Sequence, residues 1–144
     1  MNIKQIAIAN RVQVIQPLNV ELVDKIFGES LVDGLKPFHS KLSIEFTEKN
    51  VPQSGKGIYK MYILALDGVE NFRVFSGANK AKNLFFTPET NLLYRTLHDI
   101  DHALHYKQGK GTTTKANELF LNCLMAKRAF DYAIKSGYTL AQSV

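Results

Sequence analysis

The chain has 144 residues, a formal net charge of +5 and a single cysteine, Cys123. This length suits one hydrophobic core, so we predict a single domain over residues 1–144, and the lone cysteine excludes an internal disulfide and suits a reducing compartment. No apolar run is long enough to span a bilayer, which predicts a cytoplasmic protein without a membrane partner.

The first part of the chain, residues 1 to about 87, has a mixed and strand-rich pattern. Residues 19–28, NVELVDKIFG, predict a short helix. Four runs rich in β-branched and aromatic residues predict strands: KLSIEFT (41–47), IYKMYILAL (58–66), FRVF (72–75) and LFF (84–86). The turn-rich connectors 50–57 and 67–71 indicate antiparallel hairpins, with the glycines of GKG (55–57) at a hairpin tip.

The last third of the chain changes to helical periodicity. Thr87 and Pro88 are typical of the N-cap and first position of a helix, which we expect to run to about Lys107. A second helix is predicted from near Thr114 to Gly137. One side of this second helix is apolar and is predicted to face the core: Ala116, Phe120, Cys123, Phe130 and Ile134. The predicted fold is therefore α+β, with a small antiparallel sheet in the first half packed against a C-terminal helical hairpin at about 88–137.

Three of the four histidines lie in one run of the first of these helices, HDIDHALH (98–105). At roughly 100° per residue, His98, His102 and His105 fall within an arc of about 60°, on a face beside the apolar core rather than within it. The spacing of four between His98 and His102 places two imidazoles within one helical turn, which suits a shared divalent ion. Asp99 and Asp101 flank this face almost symmetrically, so helix geometry leaves open which carboxylate would be a ligand.

A further ligand is expected from another element, and the candidate is Glu118 in the first turns of the second helix. Asn122, one turn later, could offer an amide to a ligand or substrate. However, Glu118 shares its stripe with Leu121 and Met125 rather than with the predicted core face. Either this helix is covered on two sides, or Glu118 points to solvent. A solvated helix face, with Glu118 stabilising a helix N-terminus, is the alternative explanation of the same residues.

The stretch YRTLHDIDHALHY, followed by a Gly/Thr loop and NELFLNCLMAK, resembles two groups of proteins over about residues 91–128. One is the zinc-binding coenzyme Q biosynthesis family, in which HDxxH on one helix is joined by a Glu from the next. The other is a set of small phage- and plasmid-encoded proteins, in which an aromatic-Arg pair precedes the His-Asp motif. The resemblance implies a divalent metal, zinc first and iron or manganese as alternatives, held by four residues: His98, Asp99, His102 and Glu118.

The chain also departs from these patterns. Its strand-rich first half is unlike the largely helical coenzyme Q family, so a quinone-precursor substrate is not implied. Fifteen residues separate His102 from Glu118, which is a longer loop than that family has. Asn117 also stands where that family has a glycine before the Glu.

Such a site predicts a metal-dependent enzyme, hydrolase- or lyase-like, in which the metal activates a water or polarises a substrate oxygen. Asp101 or His105 would act as general base. Tyr94, Arg95 and Asn122 would bind the substrate, an unidentified small molecule.

Two other function classes fit the same sequence. The chain could be a phage-type inhibitor or adaptor that binds a host protein or nucleic acid, with the metal structural or absent. It could also bind nucleic acid directly through basic residues around the hairpin: Lys107, Lys110, Lys115, Lys127 and Arg128. Because the basic residues are spread thinly from Lys4 to Lys135, the net charge alone is weak support for a nucleic-acid partner.

Overall fold

The computed structural model describes residues 20–79 and 86–138, and these residues are mostly helical. They form, in chain order, α1 (Val20–His39), β1 (Ile44–Thr47), α2 (Gly55–Leu66), β2 (Phe72–Phe75), α3 (Pro88–His105), a short 3₁₀ turn (Tyr106–Gln108) and α4 (Lys115–Lys135). The predicted α+β fold with an antiparallel sheet is therefore wrong. Helices dominate the described residues of both halves, which hold one sheet of two strands.

The two strands pair in parallel, with Ile44 opposite Phe72 and Thr47 opposite Phe75. Parallel strands cannot be joined by a tight turn and need a crossover, which here is α2. The strands predicted within 41–47 and 72–75 are confirmed, each with four residues. Residues 84 and 85 of the predicted LFF strand lie outside the described residues.

The predicted strand at 58–66 is a helix because its buried positions follow a helical spacing. Ile58, Met61 and Ala65 face the core, and Ser54 caps the helix by accepting a hydrogen bond from the backbone N–H of Gly57. Gly55 is not at a flexible hairpin tip. A side chain at Gly55 would collide with the backbone at Gly111 and Thr112, so glycine allows α2 to approach the loop before α4.

The first helix is longer than predicted. Instead of ending at Gly28, α1 continues to His39, and Asn19, the first residue of the predicted helix, lies outside the described residues. Its buried side chains continue past the glycine: Ile26, Ser30, Leu31 and Leu35. A Cβ at Gly28 would lie 3.3 Å from Oγ1 of Thr90, so this glycine allows close packing between α1 and α3.

The core lies where α3 packs against α1, α2 and the sheet. Its largest fully buried apolar side chains are Leu31, Leu35, Met61, Phe72, Val74, Leu97, Ile100 and Leu121. Because α3 contacts all three of the other helices, the middle of the HDIDHALH run, residues 100–103, is buried, whereas Leu104 is exposed. None of the helices seen in the described segments has the length and apolar character that a membrane span requires.

Both C-terminal helices begin where the sequence predicts. Thr87 caps α3 by accepting from the N–H of Thr90, and Thr114 caps α4 by accepting from the N–H of Asn117. The predicted core face of α4 is wrong, however. Its buried residues are Leu121, Met125 and Ala133, whereas Cys123, Phe130 and Ile134 are exposed. The face that carries Glu118 is therefore turned toward α3.

Candidate metal centre

Three side chains from two helices converge on one point between α3 and α4. His98 and His102 come from α3, and Glu118 comes from the first turns of α4. Nε2 of His98 lies 2.9 Å from Oε2 of Glu118, and Nε2 of His102 lies 2.8 Å from Oε1 of the same carboxylate. The two Nε2 atoms are 3.2 Å apart. The predicted pairing of the two histidines with Glu118 is thus present as a compact triangle of nitrogen and oxygen atoms.

The size of this triangle is close to that of a zinc coordination shell. Tetrahedral zinc binds histidine nitrogen and carboxylate oxygen at about 2.0–2.2 Å, which puts neighbouring ligand atoms roughly 3.3 Å apart. Here the two Nε2 atoms are 3.2 Å apart, and each lies 2.8 or 2.9 Å from a different oxygen of the Glu118 carboxylate. An outward movement of a few tenths of an ångström, within the freedom of two side-chain rotations, would match that spacing. The donor set of two imidazoles and one carboxylate also suits iron and manganese.

His102 is held in the orientation that a metal ligand needs. Its side chain is 2% exposed, and its Nδ1 lies 2.8 Å from the carbonyl oxygen of Gly111. Since a carbonyl oxygen only accepts, Nδ1 carries a proton and donates it. In the neutral ring Nε2 then faces Oε1 of Glu118 with a lone pair, and two acceptor atoms 2.8 Å apart need a cation or a further proton between them. A backbone carbonyl that orients the far nitrogen of a ligating histidine is a common feature of protein metal sites.

The protonation state of His98 also suits metal binding. Burial lowers the pKa of His98, His102 lowers it further, and Glu118 acts in the opposite direction. His98 is therefore a neutral imidazole near pH 7, the form that binds metals. Its Nδ1 is buried without a hydrogen-bond partner among the described residues. Nδ1 lacks a partner whether the ring proton is on Nδ1 or on Nε2. It therefore does not distinguish a bound metal from a hydrogen bond to Glu118.

Asp99 lies outside the triangle. The three converging residues do not include it, and no hydrogen bond to its carboxylate is found within the described segments. Burial raises the pKa of Asp99 to about 7, with a further rise from the Glu118 charge and a partial offset from Arg95. The metal ligand set that the geometry supports is thus His98, His102 and Glu118. Asp99 is a neighbouring carboxyl whose charge is costly in the absence of a cation.

Asp101 has a different partner from the one that the sequence suggests. It is fully buried, and its two carboxylate oxygens each accept a hydrogen bond of 2.6 Å from the guanidinium of Arg128 on α4. Such a bidentate pair is the strongest common form of ion pair. The geometry gives Asp101 a structural role that joins α3 to α4, and it does not support the predicted role as general base.

His105 and Arg95 are also engaged away from the triangle. His105 bonds through Nδ1 to the carbonyl oxygen of Asp101, one turn back in its own helix, and its ring meets the edge of Phe120. Arg95 donates to the carbonyl oxygens of Phe75 and Gly77, which fixes the end of β2 to α3. His105 keeps Nε2 unused by its Nδ1 hydrogen bond but does not belong to the converging group, and Arg95 uses its guanidinium within the fold rather than at the triangle.

Tyr94 and Asn122 lie beside the triangle and hold each other. The Tyr94 hydroxyl donates to Oδ1 of Asn122, and the Tyr94 ring stacks on His98 with centroids 5.4 Å apart. Burial and the nearby carboxylates, first Glu118, raise the pKa of the Tyr94 phenol. Two of the three residues predicted to bind substrate are therefore adjacent to the candidate centre. Asn122 is exposed, and the Glu118 side chain is 35% exposed, so solvent reaches the centre from this side.

Sequence reasoning did not identify Gly111 or Arg128 as parts of this region. Arg128 could have been found, because it lies on the helix face of Glu118, Leu121 and Met125, and a basic residue on a buried face needs an acidic partner. No comparable feature of the sequence indicates that Gly111 belongs to the site. Its role depends on the loop conformation that brings a backbone carbonyl to His102.

Comparison of the chain with models of known protein families, with characterised proteins and with solved structures finds no match. The assignment of a function therefore depends on the chemistry of the converging residues.

Proposed function

We propose that this protein binds one divalent metal ion, with zinc as the first candidate, through Nε2 of His98, Nε2 of His102 and the carboxylate of Glu118. The observation that carries this proposal is the convergence of these side chains: the two Nε2 atoms are 3.2 Å apart, and each lies 2.8 or 2.9 Å from one oxygen of the Glu118 carboxylate. The fixed orientation of His102 supports it, because the hydrogen bond to Gly111 keeps the Nε2 lone pair free for a cation. The resemblance of the HDxxH and Glu pattern to zinc-binding proteins points the same way.

A site of three protein ligands is typical of catalytic rather than structural zinc, because the fourth position is left for water or substrate. The ion would lower the pKa of a bound water or polarise a substrate oxygen. We therefore propose a hydrolase-like reaction on a small molecule that enters from the side of Tyr94 and Asn122. We also propose that the protein acts in a reducing, cytoplasmic environment.

The test is metal analysis of untagged protein purified without chelator. We expect near one metal per chain in the wild-type protein and none in the His98→Ala/His102→Ala double variant. His105→Ala is the matched control, because this histidine lies on the same helix outside the triangle, and it should keep the metal. Metal-free wild-type protein that also fails to take up added zinc would contradict the proposal.

A second candidate function is a binding module for another protein, such as a phage-type inhibitor or adaptor, with the metal only stabilising the two C-terminal helices. The observation that favours it is the exposed apolar side of α4, where the exposed fractions are 65% for Leu119, 39% for Phe130 and 48% for Ile134. Adjacent exposed apolar side chains are typical of protein contacts. A stoichiometric partner that survives loss of the metal, and is lost in Leu119→Ser/Ile134→Ser, would support this function over catalysis.

A further inference from the structure

A lysine-rich surface lies where α2 begins and where the 3₁₀ turn leads into α4. Its five lysines are exposed, and we define the lysine surface by them: Lys56, Lys60, Lys107, Lys110 and Lys115. Among the described residues none of the five forms an ion pair. The two segments that carry them, residues 51–66 and 102–117, contain no aspartate or glutamate. Asp67, Asp101 and Glu118 lie directly beyond the ends of these segments, so the segments themselves carry only positive formal charge.

Contacts between the two segments hold these lysines together in space. The ring of Tyr59 on α2 stacks on Tyr106 of the 3₁₀ turn, with centroids 5.0 Å apart. The ammonium group of Lys107 lies 5.8 Å from the centre of the same Tyr59 ring. Gly55 packs directly against the backbone at Gly111. Lys56 and Lys60 therefore belong to the same surface as Lys107, although about 50 residues separate them in sequence.

Two of the lysines are positioned by aromatic rings rather than free in solvent. Lys110 lies 4.8 Å from the centre of the Phe120 ring, and Lys107 lies over Tyr59 as described. A cation–π contact restrains the ammonium group without neutralising it. Lys56 and Lys60 are one helical turn apart, about 6 Å along the axis. The cation–π contacts thus restrain Lys107 and Lys110, and Lys56, Lys60 and Lys115 add three exposed positive charges.

The structure also changes the basic set that the sequence suggested. Lys127 pairs with Asp131 at 3.1 Å, and Arg128 is engaged by Asp101. Because these carboxylates offset their positive charges, the two residues contribute less to the binding of a polyanion. In their place, α2 contributes Lys56 and Lys60, which no spacing argument connects to the C-terminal helices.

We propose that the lysine surface binds the phosphate backbone of a nucleic acid, without reading its sequence. Several exposed lysine charges that are not paired with carboxylates are what binding to a phosphate backbone uses. This inference goes beyond the proposed metal site and does not depend on it, because none of the five lysines belongs to the triangle.

The test measures binding of the full chain to fluorescein-labelled 20-nucleotide single-stranded DNA and to a 20-base-pair duplex, between 50 and 200 mM salt. If all five lysines contact phosphates, log K should fall with log[salt] with a slope of about −3.5 for the single strand and about −4.5 for the duplex. The patch variant is Lys56→Gln/Lys60→Gln/Lys107→Gln. On the single strand it should lower the size of the slope by about 2, and weaken binding at 50 mM salt about tenfold or more.

The matched control is Lys25→Gln/Lys36→Gln/Lys41→Gln, which removes the same charge from exposed positions outside the lysine surface. It should bind nearly as the wild-type protein does. Circular dichroism and metal content are measured on both variants, so that a loss of fold is not read as a loss of binding. Equal losses in both variants, or no binding by the wild-type protein at 50 mM salt, would overturn the proposal. Binding to phosphatidylserine vesicles that exceeds binding to both nucleic acids would overturn the choice of partner.

Discussion

The hydrogen bond from Nδ1 of His102 to the carbonyl oxygen of Gly111, 2.8 Å long, joins the candidate metal centre to the loop before α4. It fixes the tautomer of His102 and aims Nε2 at Glu118. The same loop leads into the helix that carries Glu118, so one backbone segment positions two of the three ligand residues. The loop also packs on Gly55, which connects the centre to α2.

We expect Gly111→Ala to weaken zinc binding tenfold or more and to cost about 1–3 kcal/mol of stability. A Cβ at this position would collide with the carbonyl oxygen of His102 and lie 2.6 Å from the backbone of Tyr106, so the loop must move away from α3. Gly109→Ala is the control. Gly109 has a φ of 75° with open space around it, so the substitution costs about 1 kcal/mol through backbone strain and leaves His102 in place. Zinc titration and urea unfolding measure both effects, and equal zinc affinity in the two variants would contradict the role of the loop.

Arg128→Met should cost about 2–4 kcal/mol of stability, because it leaves the Asp101 carboxylate buried without its partner. Adding Asp101→Leu should recover most of that loss, since a buried ion pair and an apolar pair are often similar in stability. Lys127→Met, which breaks the exposed pair with Asp131, should change stability by less than about 1 kcal/mol. Urea unfolding checks all three. If Asp101 has the structural role described here, the double variant also keeps its metal; loss of metal would place Asp101 closer to the centre.

The sequence predicts the C-terminal part of this fold better than the first part, for a physical reason. The starts of α3 and α4 are set by local caps, Thr87 and Thr114, whose side chains bond to backbone within three residues. The structure of 58–66 depends on non-local packing instead. Its aromatic and β-branched residues favour a strand, but burial of Ile58 and Met61 against the core stabilises a helix. The parallel pairing of β1 and β2 follows from that helix and could not be read from the strands themselves.

In the candidate site, too, the features set by local sequence could be predicted and the features set by packing could not. Because the spacing of His98 and His102 is a property of one helix, the sequence predicts their closeness. The choice between Asp99 and Asp101 depends on what packs against each side of α3, and the structure places neither with the two histidines. The buried face of α4 was misassigned because its apolar residues are spread around the helix. The contact of Glu118 with both imidazoles settles which side faces α3.

Asp99→Asn should stabilise the metal-free protein at pH 8 but not at pH 4. Folding raises the pKa of Asp99 from an ordinary value near 3.8 to about 7. The effect of the Asp99 carboxyl on folding stability is therefore most favourable below pH 4, where this group is protonated in both the folded and the unfolded state. That stability is lost as the pH rises toward 7, because only the unfolded chain ionises freely. Asparagine removes this penalty, so its advantage should grow by on the order of 2–4 kcal/mol between pH 4 and pH 8.

Urea unfolding in the presence of a chelator, at several pH values, measures the Asp99 effect. Asp131→Asn is the control, since this carboxylate is exposed on α4. A constant difference between Asp99→Asn and wild type across this range would contradict the prediction. The same variant tests the ligand set, because Asp99→Asn should keep its metal if His98, His102 and Glu118 suffice.

Zinc should raise the melting temperature of the wild-type protein, and Glu118→Gln should remove most of this effect. A ligand that binds only the folded state adds about 2.7 kcal/mol at a free concentration of 100 times Kd, which corresponds to roughly 10 °C for a chain of this size. Glutamine keeps the shape of Glu118 but loses the negative charge that binds the cation. Glu89→Gln, at an exposed position in the first turn of α3, is the matched control and should keep the full shift. Thermal melts with zinc and with EDTA measure the difference, and an equal zinc shift in both variants would exclude Glu118 as a ligand.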